Sequence, residues 1–187
     1  MTEKIYIGAQ ALLLDSFRLG LQIYQSGFRP DFIVGVWRGG TPVGIAVQEI
    51  LDRYQVRTDH ISIRTASYQG MGKRSKEVKV FGLDYLLDNI NHEDSLLIVD
   101  DVFDTGLSIQ AIVTTLTRKA RRNTPHDIRI ATPWFKPLNN LTDMTPDYFV
   151  HETNRWLVFP HELDGLTDEE MLRYKPGLRE LVEEFGI

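Results

Sequence analysis

The segment Leu96-Leu97-Ile98-Val99-Asp100-Asp101-Val102-Phe103-Asp104-Thr105-Gly106-Leu107-Ser108 constrains this chain more than any other. It opens on an unbroken apolar run, the mark of a strand covered on both faces. Two acids end that strand abruptly. A turn rich in glycine and hydroxyls then leads into a helix with Ile109, Ile112, Val113 and Leu116 on one face. Ligands of open α/β sheets sit at such carboxyl ends of strands. The turn from Asp104 to Ser108 offers backbone donors, two hydroxyls and a helix N-terminus, which together suit a phosphate dianion. The paired carboxylates of Asp100 and Asp101 suit ribose hydroxyls, met directly or through a magnesium ion.

The rest of the chain repeats the alternation of strand and helix. Leu13, Phe17, Leu21 and Tyr24 predict a helix over Gln10 to Tyr24, closed by Gly27. Phe32 to Trp37 predicts a strand that enters Arg38-Gly39-Gly40. A second helix follows from about Pro42, with Val43, Val47, Ile50, Leu51 and Tyr54 on its apolar face. Strands are expected at His60 to Thr65, Ser95 to Val99 and Ile128 to Thr132, with Val78-Lys79-Val80-Phe81 and a short helical piece at Leu83 to Asp88 between the first two. The polar stretch from Ser67 to Lys76 reads as a mobile loop. This order predicts an α/β fold with a central, mainly parallel twisted sheet and helices on both faces.

Beyond Pro133 the pattern changes to the aromatic-rich segments Asp147 to Val150 and Trp156 to Phe159, which predict a small cap. Thr167 with Glu170 three residues on has the form of a capping box, and Leu178, Leu181 and Val182 continue helical spacing. The 187 residues, 42% of them hydrophobic, suffice for one domain. We expect a single domain over residues 1–187, with 133–165 forming most of the cap.

Composition narrows the function. A formal charge of −5 disfavours nonspecific nucleic-acid binding, which rests on an excess of Lys and Arg. No apolar run approaches the roughly 20 residues a membrane span requires, and the N-terminus lacks the blocks of a signal peptide. A cytoplasmic location and no membrane partner are therefore expected. With no cysteine there is neither a thiol nucleophile nor a cysteine metal site.

The segment from Leu96 to Ser108 resembles the phosphoribosyl pyrophosphate motif of type I phosphoribosyltransferases, in which apolar strand, two acids, two apolar residues and Asp-Thr-Gly follow in order. From about Phe32 to Glu162 the order of the other pieces is similar to that of hypoxanthine-guanine and xanthine-guanine phosphoribosyltransferases. The resemblance implies a magnesium-dependent pentosyltransferase. Its substrates would be phosphoribosyl pyrophosphate and a 6-oxopurine, namely hypoxanthine, guanine or xanthine, in purine salvage.

Trp37-Arg38-Gly39-Gly40 looks like the family's pyrophosphate loop, where the peptide before the basic residue is often cis. Arg38 would add charge, and the amides of Gly39 and Gly40 would approach the leaving group. Ser67-Tyr68 resembles the start of the family's catalytic lid, with Lys73, Arg74 and Lys76 beyond it as cover for the pyrophosphate. The resemblance makes Asp104, Thr105, Gly106, Leu107 and Ser108 the 5-phosphate turn, and Asp104 also the acceptor of the purine ring proton. Asp104 is equally placed to cap the helix, and the two roles are compatible. Lys136 would favour a 6-oxo over a 6-amino group, because an ammonium only donates. Trp156 would stack on the base, and Leu157 would present backbone groups to its edge. Glu162 stands where relatives often carry an Asp that helps Asp100 and Asp101 hold magnesium. A homodimer or homotetramer is also implied.

Three other readings compete. A regulatory protein of the same fold could sense phosphoribosyl pyrophosphate without turnover, but the acidic charge and the lack of an added helix-turn-helix segment speak against it. An unrelated nucleotide-binding domain leaves the placement of Lys136 and Trp156 unexplained. Orotate, uracil or adenine as acceptor fits the purine-side residues less well. His151, Glu152 and His161 lack a metal-ligand spacing and are assigned no role.

Overall fold

The computed structural model describes residues 4–69 and 76–186. In chain order the elements are β1 (Lys4–Tyr6), α1 (Ala9–Gln25), β2 (Phe32–Trp37), α2 (Gly40–Arg53), β3 (Asp59–Gln69), β4 (Lys76–Phe81) and α3 (Asp84–Asn89). Then follow β5 (Ser95–Val99), β6 (Val102–Phe103), α4 (Leu107–Ala120), β7 (Asp127–Phe135), β8 (Tyr148–Glu152), β9 (Trp156–Val158), α5 (Asp168–Tyr174) and α6 (Leu178–Glu184). They form two compact units, one of Leu13–Asn154 and one of Met1–Leu12 with Arg155–Ile187.

The larger unit holds a sheet in the order β4-β3-β2-β5-β7-β6, with β8 also paired to β7. Every pairing is parallel except that of β3 with β4. The central strands are apolar throughout because helices cover both faces. Val34 of β2 and Leu96 and Ile98 of β5 are buried together with Ile112 and Leu116 of α4 and Leu86 of α3. Each such side chain contributes about 1.5–3 kcal/mol of transfer free energy.

The sequence bounds for β2 and β5 match the structure, and the fold class is the expected one. Strand β7 is longer than expected, continuing through Pro133 to Phe135. Proline is tolerated there because it lies where the neighbour changes. Pairing with β5 ends at Ala131 and pairing with β6 begins at Trp134, while β8 pairs Thr132 and Trp134 on either side of it. The segment expected as a loop from Ser67 to Lys76 is strand where it is described, at Ser67 to Gln69 and at Lys76. Its flanks continue the β3–β4 hairpin, Ser67 opposite Val78 and Gln69 opposite Lys76.

In the smaller unit, β1 runs parallel to β9, pairing Lys4 with Trp156, Ile5 with Leu157 and Tyr6 with Val158. Helix α5 opens with the expected capping box. The Thr167 hydroxyl accepts from the Glu170 amide, and the Glu170 carboxylate accepts from the Thr167 amide. The other Glu170 oxygen accepts from Lys4 Nζ and the Tyr6 hydroxyl, both at 2.6 Å. Tyr6 also stacks on Tyr174 with ring centroids 3.7 Å apart. Helix α5 is thus fastened to β1.

Candidate active site

Register gathers the site. Gly35 of β2 pairs with Val99 of β5, and Val99 pairs with Ala131 of β7, so three parallel strands bring their carboxyl ends to one edge of the sheet. The chain leaves β2 as Arg38-Gly39-Gly40 and leaves β5 as Asp100-Asp101, and the two exits pack against each other. A Cβ on Gly39 would overlap the buried Asp101 carboxylate. One on Gly40 would run into the Val99 carbonyl and lie 2.7 Å from the Asp100 Cα. A side chain at Gly39 would have to displace the Asp101 carboxylate, and one at Gly40 would meet backbone. The Trp37–Arg38 peptide is cis and the Arg38 side chain is exposed.

Desolvation pushes the Asp100 carboxyl well above the usual carboxylate range, and the charge of Asp101 adds to the effect. Hydrogen bonds from the Asp101 and Gly40 amides pull the other way. Two carboxylates crowded at one strand end, one of them resisting ionisation, fit a hard divalent cation. Among the described residues no group of three or more His, Asp or Glu side chains forms a metal site by itself. Glu162 belongs to the smaller unit, where its Oε2 accepts from the Phe159 amide at 2.9 Å.

After β6 the chain turns at Gly106, whose φ of +75° only glycine adopts readily. A Cβ there would also stand 2.6 Å from the Thr142 hydroxyl. Gly106 precedes α4 without a side-chain cap, which leaves the amides of the first turn to an external acceptor. The Leu107 amide makes only a long bond of 3.4 Å to the Thr105 hydroxyl. Thr65 of β3 donates to Ser108 Oγ at 3.3 Å, which ties the turn to the next strand but one. Beyond Thr65, the backbones of Ser67 and Tyr68 pair with Val78 and Glu77. Lys73 and Arg74 lie outside the described residues.

On the other side β6 pairs with the end of β7, Phe103 opposite Phe135, and this carries Asp104 beside Lys136. Lys136 is buried, with its backbone amide on the Phe103 carbonyl at 2.9 Å. Its Nζ donates to Asp104 Oδ2 at 3.1 Å, and Asn139 Nδ2 donates to Oδ1 at 2.7 Å. Asn139 ends the 3₁₀ turn Pro137–Asn139, which no sequence motif singled out. In the smaller unit, Trp156 is 60% exposed at the start of β9, and Leu157 is buried.

His151, to which the sequence assigned nothing, bonds Asp15 Oδ2 through Nε2 at 2.8 Å and packs its ring 4.4 Å from that of Trp134. It holds α1 to β8.

A mainly parallel sheet flanked by helices, whose strand ends join a glycine loop, an acid pair and an uncapped helix turn, defines an α/β protein. Residues 6–164 match the family model of the phosphoribosyl transferase domain, and the chain belongs to that family. Among solved structures it is similar to a purine phosphoribosyltransferase from Pyrococcus horikoshii, at 25% identity and TM-score 0.69 over 88% of this chain and 97% of that one. The xanthine-guanine-hypoxanthine phosphoribosyltransferase of Helicobacter pylori shares the fold at 22% identity, with a TM-score of 0.65 over 87% and 96%. So does a hypothetical protein from Neisseria gonorrhoeae with bound ppGpp, at 19% identity and TM-score 0.75 over 94% and 97%. No curated protein matches the chain. Family membership makes the chain a glycosyltransferase whose donor is phosphoribosyl pyrophosphate.

Proposed function

We propose that this chain transfers ribose 5-phosphate from phosphoribosyl pyrophosphate to hypoxanthine, guanine or xanthine, releasing pyrophosphate and the nucleoside 5′-monophosphate. The observation that carries this reading is the pairing of Lys136 with Asp104 beside the phosphate turn. A purine must meet a donor at its 6-oxo group and an acceptor for its ring proton, and these two side chains supply one of each.

In this reading the Asp104 to Ser108 turn holds the 5-phosphate, while Arg38 and the amides of Gly39 and Gly40 hold the pyrophosphate. Ser67 and Tyr68 begin its cover. Asp100 and Asp101 orient the ribose and are the residues of the larger unit that would hold magnesium, which when bound would neutralise charge on the leaving group. Trp156 stacks on the base and the Leu157 backbone meets its edge. A ring nitrogen then bonds to the anomeric carbon as the bond to pyrophosphate breaks, and the proton of that nitrogen passes to Asp104. Positioning and electrostatics provide most of the acceleration.

The test is steady-state turnover with phosphoribosyl pyrophosphate and magnesium, offering hypoxanthine, guanine, xanthine, adenine and orotate separately while pyrophosphate is followed. We expect turnover with at least one 6-oxopurine and its loss in Asp104→Ala. Tight binding of phosphoribosyl pyrophosphate without turnover of any base would refute the assignment.

A further inference from the structure

Asp104 is held at both oxygens. Lys136 Nζ donates to Oδ2 at 3.1 Å and Asn139 Nδ2 donates to Oδ1 at 2.7 Å. The two donors differ in what else they can do. Lys136 carries an ammonium on a long flexible arm, and it has an alternative acceptor once a 6-oxo group arrives. Asn139 has a short arm on a segment pinned at several points. Its own amide donates to the Lys136 carbonyl at 3.1 Å, the Leu138 amide to Asn154 Oδ1 at 3.0 Å, and the Leu141 amide to the Thr105 carbonyl at 3.0 Å. The last bond fixes the segment to the phosphate turn itself.

We propose that Asn139 is a positioning residue for Asp104. Its amide grips Oδ1 throughout, so that Oδ2 is delivered in a fixed direction when Lys136 leaves it for the base. The rotation of an Asp carboxyl about its last torsion is broad and roughly two-fold, so a partner that leaves for the base does not fix its plane. A second partner that stays does. Asn139 also does this without charge, leaving the carboxylate free to accept a proton. The role rests on the reading of Asp104 as proton acceptor, and in it Asn139 acts only through Asp104.

The experiment compares kinetics and thermal melting of the wild type, Asn139→Ala and Asn139→Asp. Loss of a hydrogen bond to a charged group predicts a fall in kcat of about 10-fold for Asn139→Ala. The KM for phosphoribosyl pyrophosphate and the melting temperature should stay at wild-type values. Asn139→Asp keeps the shape but sets a second carboxylate against Asp104, so its kcat should fall further. Unchanged kcat in Asn139→Ala overturns the proposal, and so does a kcat loss that comes with a matching loss of melting temperature and of donor affinity, which marks a mere brace. A wild type that turns over no 6-oxopurine overturns the functional reading and this role with it. An active wild type with an unaffected Asn139→Ala overturns this role alone.

Discussion

Gly39 lies so close to Asp101 that its missing Cβ is the space the carboxylate occupies. The loop after β2 and the acids after β5 are therefore one packed object. Its neighbour Gly40 faces backbone instead, the Val99 carbonyl and the Asp100 Cα.

The two glycines should fail differently. In Gly39→Ala the side chain of Asp101 must move, and misplacement of about 1 Å at a reacting centre costs about 100-fold in kcat/KM. The melting temperature should fall little. In Gly40→Ala the obstacle is a central strand that cannot yield, so the cost appears in folding, up to about 3 kcal/mol by denaturant titration. Equal stability losses in the two variants would contradict this division.

Replacing Trp156 by Ala should raise the KM for the purine while leaving that for phosphoribosyl pyrophosphate unchanged. Stacking of a base on an aromatic face is worth about 1–3 kcal/mol, or roughly 10- to 100-fold. Because the ring is 60% exposed, melting should be nearly unaffected, and a large stability loss would instead mark a packing role.

Lys136→Gln tests base choice. A glutamine amide offers both a donor and an acceptor, so the ratio of kcat/KM for hypoxanthine over adenine should fall about 10-fold or more. A preserved ratio would move the discrimination elsewhere.

Much of this was legible in the sequence because it depends on local pattern. Phe32 to Trp37 and Ser95 to Val99 are continuous apolar runs bounded by polar residues, and both strands have those bounds. Thr167 and Glu170 announce their cap by spacing alone. What escaped depends on partners distant in the chain. Strand β1 has three residues, too few for a period, and exists through its pairing with β9. Strand β6 has two, and exists because β7 runs past β5. Asn139 gave no signal at all, since only the turn after Lys136 brings its amide to Asp104.

The smaller unit carries its own pH dependence. Bonds from Lys4 and Tyr6, then the Thr167 amide, lower the Glu170 carboxyl from an ordinary 4.5 to about 2. A depressed carboxyl stabilises fully above its unfolded value, and that stabilisation is lost as pH falls from about 4.5 through about 2. The same contacts push the Tyr6 hydroxyl up to about 12, first through its burial. Acid titration followed by the near-ultraviolet dichroism of the Tyr6–Tyr174 stack should show a transition in that window, absent in Glu170→Gln. A transition unchanged by the substitution would place its origin at other groups.

Lys4 and Glu170 meet although 166 positions separate them. During synthesis β1 leaves the ribosome before β9 and α5, which carry its partners, and must wait for them while Leu13–Asn154 can already assemble. The ribosome thus finishes the larger sheet early, and a chain cut short before β9 would leave β1 without the strand it pairs with.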